Sequence, residues 1–139
     1  MIVLDTNVIS EFMRAEPNAN VLAWIDLQPA MDLVICAVTV AEILHGIARL
    51  PFSKRKQKLE SHAMAMFEED FAGRILPFDA DAAVEYATLV ASCEAKGRAA
   101  GMADAQIAAI CRTHGAPIAT RNTRDFEFSG IDIINPWNA

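Results

Sequence analysis

The chain has no pair of cysteines at the spacing of a metal or redox motif. Its three cysteines, Cys36, Cys93 and Cys111, are odd in number, far apart and set among apolar residues. They read as buried free thiols in a reducing cytoplasm. The three histidines, His45, His62 and His114, show no H-x-x-x-H spacing, which leaves them as helix-surface or core residues. None of the five serines lies in a G-x-S-x-G elbow, and no G-x-G-x-x-G or G-x-x-x-x-G-K-[ST] loop occurs. The usual serine-hydrolase and nucleotide-binding signatures are therefore missing. No apolar run approaches the roughly 20 residues that span a bilayer; the longest such region, residues 33–48, is broken by Glu42 and His45. The opening Met1-Ile2-Val3-Leu4 carries no basic lead and meets Asp5 at once, so no signal peptide is expected.

Positive charge is also scarce. Twelve Lys and Arg face 18 Asp and Glu, a net charge of −6. This argues against a protein that holds nucleic acid by a broad basic surface. An enzyme acting on nucleic acid remains open, because metal-binding carboxylates are negative until a cation arrives and then attracts phosphate. Lys54, Arg55, Lys56 and Lys58 form one basic run, read first as a solvated face and second as an RNA contact.

What is present is ample apolar material: 53% of 139 residues are hydrophobic and 22% charged. That composition predicts one domain over residues 1–139, with a single core. Strands are expected at 1–5, 32–37, 74–78, 116–120 and 131–134. Helices are expected at about 7–14, 18–27, 39–50, 53–71, 79–96 and 103–114, with Pro17, Pro29, Pro51 and the small residues of 97–101 as breaks. Asp79 should cap the fifth helix, with Val84, Ala87, Val90 and Cys93 as its inward stripe. The helix at 53–71 begins basic and ends acidic, against the preference of its dipole. Strands alternating with helices predict an α/β fold: a central parallel sheet covered by helices on both faces, joined by right-handed crossovers.

Four acids fall where apolar segments end or helices begin. Asp5 follows the first strand, at the edge where open parallel sheets bind ligands. Capping the next helix is the competing explanation, but Thr6 and Asn7 would cap equally well. Glu42 completes Thr39-Val40-Ala41-Glu42, which also fits a capping box. Asp104 lies in the first turn of an Ala- and Ile-rich helix, where the dipole favours an acid whatever its function. Asp125 ends Thr120-Arg121-Asn122-Thr123-Arg124-Asp125, a stretch offering hydroxyl, amide and carboxylate oxygens to a hard cation or its waters. Two unit charges about 4 Å apart repel by about 4 kcal/mol at an effective dielectric near 20. Carboxylates gathered that closely call for protonation or a cation between them. An all-oxygen set points to Mg²⁺ or Mn²⁺ and disfavours zinc. Glu11 and Asp79 are further acids for the same sheet edge; Trp24 and Trp137 read as packing residues.

Asp5-Thr6-Asn7, Thr39-Val40-Ala41-Glu42, Met102-Ala103-Asp104-Ala105 and Thr120-Arg121-Asn122-Thr123-Arg124-Asp125-Phe126 resemble, in order and separation, the four motifs of PIN-domain ribonucleases. The nearest branch is that of bacterial toxins of type II toxin–antitoxin pairs, of the VapC and FitB kind, whose ending is similar to Ile133-Ile134-Asn135-Pro136-Trp137. The resemblance spans nearly the whole chain. It implies a three-layer α/β/α sandwich and a Mg²⁺- or Mn²⁺-dependent endoribonuclease of the cytoplasm. It also implies a homodimer and a cognate antitoxin that blocks the site. Carried over, Asp5, Glu42, Asp104 and Asp125 are the catalytic acids, with Asp5 and Asp104 on the metal. Thr6, Asn7, Thr120 and Asn122 are positioning residues, and Arg121 and Arg124 contact RNA. Some members carry an acid at the position of Asn122 and others at that of Asp125, so the amide at 122 leaves Asp125 as the fourth acid. The alternative is a binding module without turnover that forms a repressor complex with an antitoxin. A phosphoacceptor receiver domain would need paired early acids and a late Lys, which are missing.

Overall fold

In a computed structural model describing residues 1–139, strand β1 (Ile2–Leu4) lies at the centre of a five-stranded sheet. The order is β3-β2-β1-β4-β5, with β2 Leu33–Cys36, β3 Ile75–Leu76, β4 Ile118–Ala119 and β5 Ile133–Ile134. Every pairing is parallel. The chain builds outward from β1 to β2 and β3, then returns to lay β4 on the other side of β1. That reversal is a topological switch point, where open α/β sheets hold their ligands.

Side-chain alternation divides the core into two layers. Leu4, Leu33, Ile35 and Ala119 face one way, under α1 (Thr6–Phe12), α2 (Ala19–Asp26), α3 (Ala37–Ala48) and α4 (Lys54–Ala65). Val3, Val34, Cys36 and Ile118 face the other, under α5 (Ala80–Ala95) and α6 (Met102–His114). Helices on both faces of the sheet give the three-layer α/β/α sandwich the sequence predicted. Six residues of α6 are buried, four of them Ala105, Ala108, Ala109 and Cys111; small side chains let it press close against both sheet and α5. Gly115 ends α6 at φ +61, a left-handed turn that glycine adopts without a Cβ clash, and leads into β4. No helix is long and apolar enough to cross a membrane. All three cysteines are free and buried, and all three histidines are exposed.

Several local expectations are corrected. Thr39 is not a helix cap: β2 runs straight into α3, whose cap position is Cys36. Thr39 therefore lies inside the first turn, fully buried. The inward stripe of α5 is Ala82, Leu89 and Cys93, while Val84 is 68% exposed. Ala87 is exposed as well. Asp79 does cap α5, accepting the Ala82 N–H at 3.0 Å. The helix expected over 53–71 ends as regular α-helix at Ala65 and continues as a π-type turn, Met66–Asp70. Its misplaced positive charge has a use nearby. Lys56 Nζ donates to the carbonyls of Ala48 and Leu50 at 3.1 and 3.2 Å, so the basic start of α4 satisfies the negative end of α3.

Candidate active site

Register sets the site. Leu4 pairs with Ala119, so Asp5 and Thr120 are each one residue beyond paired strands at the switch point. Asp5 is 5% exposed and both oxygens of its carboxylate accept hydrogen bonds. Oδ1 accepts the Thr6 N–H at 2.8 Å, and Oδ2 accepts the Thr120 hydroxyl at 2.7 Å and the Asn7 amide at 3.2 Å. Asn7 also accepts the Arg121 N–H at 3.2 Å, and Thr120 Oγ1 accepts the Asn122 N–H at 3.0 Å. One residue further, Thr6 Oγ1 donates to Glu42 Oε1 at 2.7 Å and lies 3.2 Å from the buried Thr39 hydroxyl. The local motifs after β1, within α3 and after β4 thus form one hydrogen-bonded frame. Burial pushes the Asp5 carboxyl above the ordinary carboxylate range. Bonds from Thr120 and Thr6 oppose the shift, while Glu42 and Asp125 add to it by repulsion.

Asp104 approaches from the other side. It stands in the first turn of α6 after the Gly101 cap, half-buried, and no protein donor lowers its pKa. Partial burial, then repulsion from Asp5, Asp125 and Glu42, raises its carboxyl to about 6. Asp5, Glu42 and Asp104 line one cavity of about 480 Å³ together with Asn7 and Asn122. Asp125 does not line it. It sits exposed in the 3-10 turn Thr123–Ser129 and borders, with Arg124, a smaller cavity of about 270 Å³ that also touches Asp104.

Four further side chains line the main cavity: Glu11, which the sequence offered as a further acid for this edge, and Ser10, Arg14 and Trp137, to which it gave no role in the site. Asn7, Ser10, Glu11 and Arg14 follow a spacing of three, four and seven residues, a polar stripe that begins inside the first motif and runs along α1 to just past its end. That periodicity is the signal that could have found them. Glu11 is 4% exposed and pairs with Arg14 at 3.1 Å. Trp137 is both a packing residue and a cavity wall, with the Arg121 guanidinium 5.3 Å above its ring. Asp79, as the cap of α5, takes no part.

The donor set favours a hard cation. The chain's two ion pairs are Arg14–Glu11 and Arg112–Glu85, so no Lys or Arg neutralises Asp5, Glu42, Asp104 or Asp125. No three His, Cys, Asp or Glu side chains close on one point as ready-made ligands. A hard divalent cation can be held by one or two carboxylates with several waters. Asp5 and Asp104, which both line the cavity, could supply them.

An open parallel sheet with an acid-lined crevice at its switch point belongs to the α/β proteins that act on ligands beyond the strand ends. Comparison with known proteins narrows the class. The PIN-domain family model matches residues 2–132, and the chain belongs to that family. It is 49% identical over 137 residues to VapC ribonuclease Y4jK of Sinorhizobium fredii, covering 99% of this chain and 98% of that protein. It is 41% identical to Toxin FitB of Neisseria gonorrhoeae, covering 99% of each. The crystal structure of FitAcB from Neisseria gonorrhoeae matches with a TM-score of 0.93 and 40% identity over 100% of both chains.

Proposed function

We propose that this protein is a divalent-cation-dependent endoribonuclease and the toxin of a toxin–antitoxin pair. One observation carries the reading: Asp5, Glu42 and Asp104, from three separate segments, line one cavity with no cationic side chain paired to any of them. The ribonuclease and toxin relatives supply the substrate class. Asp5 and Asp104 would hold the ion, Mg²⁺ or Mn²⁺. When bound, it supplies positive charge to the phosphoryl oxygens and acidifies water.

The chain's own residues do the rest. Thr120 and Asn7 fix the orientation of the Asp5 carboxylate, which would present a preset oxygen to an ion. In hydrolysis, water adds to phosphorus and gives up a proton while the P–O bond to the leaving ribose oxygen breaks and that oxygen takes up a proton from solvent. Glu42 has Oε1 held by Thr6, which leaves Oε2 to take the proton that water gives up. Asn122 orients water or substrate, Arg121 meets an RNA phosphate or base, and Asp125 acts from the flank through its charge. In the cytoplasm, an antitoxin Arg or Lys would occupy the same carboxylates in place of metal, and two copies of the toxin would form the homodimer of the family.

The test is cleavage of RNA by purified protein with Mg²⁺ or Mn²⁺, its arrest by EDTA, and its loss in Asp5→Asn. Cleavage that survives the substitution would assign the activity elsewhere. Binding of RNA or antitoxin with no cleavage by the unaltered protein would favour the binding module.

A further inference from the structure

The central cavity shares wall residues with a neighbour on each side. Ser10 and Arg14 line both it and a larger cavity of about 1170 Å³ between α1 and α4. Asp104 lines both it and the cavity of about 270 Å³ beneath the loop before α6. Charge is uneven along this path. The large cavity carries Arg14, Arg55, Lys58 and His62 against a single acid, Glu16. The centre sets four acids against Arg14 and Arg121, and the small cavity sets Arg98 and Arg124 against Asp104 and Asp125. None of Arg55, Lys58, Arg98 or Arg124 is in an ion pair, so their charge is available to a ligand.

Resting on the nuclease reading, we infer that a single RNA strand threads all three cavities. Phosphates on one side of the scissile bond lie on Arg55 and Lys58, and phosphates on the other side on Arg98 and Arg124. A polyanion can meet unpaired cations on both sides of the acids, and a flexible single strand can follow a bent path. The large cavity has no Phe, Tyr or Trp among its walls, and protein interfaces typically anchor on such residues. The contact is with backbone phosphate, so it confers dependence on RNA length and not on sequence.

The experiment compares wild type, Arg55→Ala/Lys58→Ala, Arg98→Ala and, as a control outside the three cavities, Lys96→Ala. Each is assayed for cleavage of a long unstructured RNA and of a trinucleotide, and for salt-dependent binding of the long RNA. For the long RNA, the double variant should raise KM about tenfold with kcat unchanged, and lower the slope of log affinity against log salt by about 1.4. Arg98→Ala should lower that slope by about 0.7, while trinucleotide kinetics and the Lys96→Ala control stay as in wild type. Unchanged KM and slope in the double variant would overturn the inference. So would loss of antitoxin binding with RNA kinetics intact, which gives the large cavity to a protein. Wild type that neither binds nor cleaves RNA would bring down the nuclease reading itself, a result separable from the other two.

Discussion

The two halves of the acidic cleft are built on opposite terms. On the β1 side, Asp5 is buried and accepts three hydrogen bonds, and Glu42 is held by Thr6. On the α6 side, Asp104 has no protein donor and Asp125 is exposed. One half is wired for position, and the other is left electrostatically unsatisfied. Such a pair would suit a cation, offering one preset carboxylate and one free one.

The largest expected effect tests that division directly. Asp5→Asn and Asp104→Asn should each lower kcat/KM on RNA by about a thousandfold, since metal stabilisation of the transition state is worth several kcal/mol. Their stabilities should diverge. Asp5→Asn places an NH₂ among donors in a buried site and should lower the unfolding free energy by about 1–3 kcal/mol in urea. Asp104→Asn removes repulsion from the three other acids and should leave the metal-free protein as stable as before, or more so. Equal destabilisation would erase the contrast between the halves.

A smaller effect separates Asp125 from the rest. Because it borders the side cavity only, Asp125→Asn should cost less than about tenfold in kcat/KM, the low end for a group acting on a metal site from its periphery. A loss equal to that of Asp104→Asn would put Asp125 at the centre.

The smallest effect is in pH. The Asp104 carboxyl has a folded pKa of about 6 against an ordinary 3.8. Between these values the folded chain holds more protons than the unfolded one, so this group's contribution to stability falls as pH rises toward 6. A divalent cation favours the charged form and reverses that trend. The increase in Tm on adding Mg²⁺ should therefore be greater at pH 7.5 than at pH 5. An increase independent of pH would mean that the cation binds away from Asp104.

Features dictated within a few residues are legible in the amino-acid order. Asp5 after an apolar strand, Asp79 as a cap and Asp104 in a first turn depend on local sequence alone, and each element appears where expected. Features set by partners are not legible in the same way. The α5 stripe is easily misphased because alanines occur on both sides of that helix and carry no direction, so Val84 suggests an inward face that is in fact the solvent face. Thr39 resembles a cap because sequence does not show that a loop is absent; only the direct passage of β2 into α3 makes it a buried hydroxyl beside Thr6. The basic start of α4 looks unfavourable because its carbonyl partners belong to another helix.

Neighbouring residues alone dictate the alternation of strands and helices, the two-sided burial of the sheet and the acids at the ends of its elements. Hydrophobic period and capping chemistry act over a turn or a pleat, so both are written within short stretches of chain. Three-dimensional assembly was needed to settle which acids share a cavity, which one is held by three donors and which has none, and that Glu11, Arg14 and Trp137 join them. Those outcomes follow from strand order and register across more than a hundred residues, and electrostatic interaction depends on separation in space, to which separation along the chain is no guide.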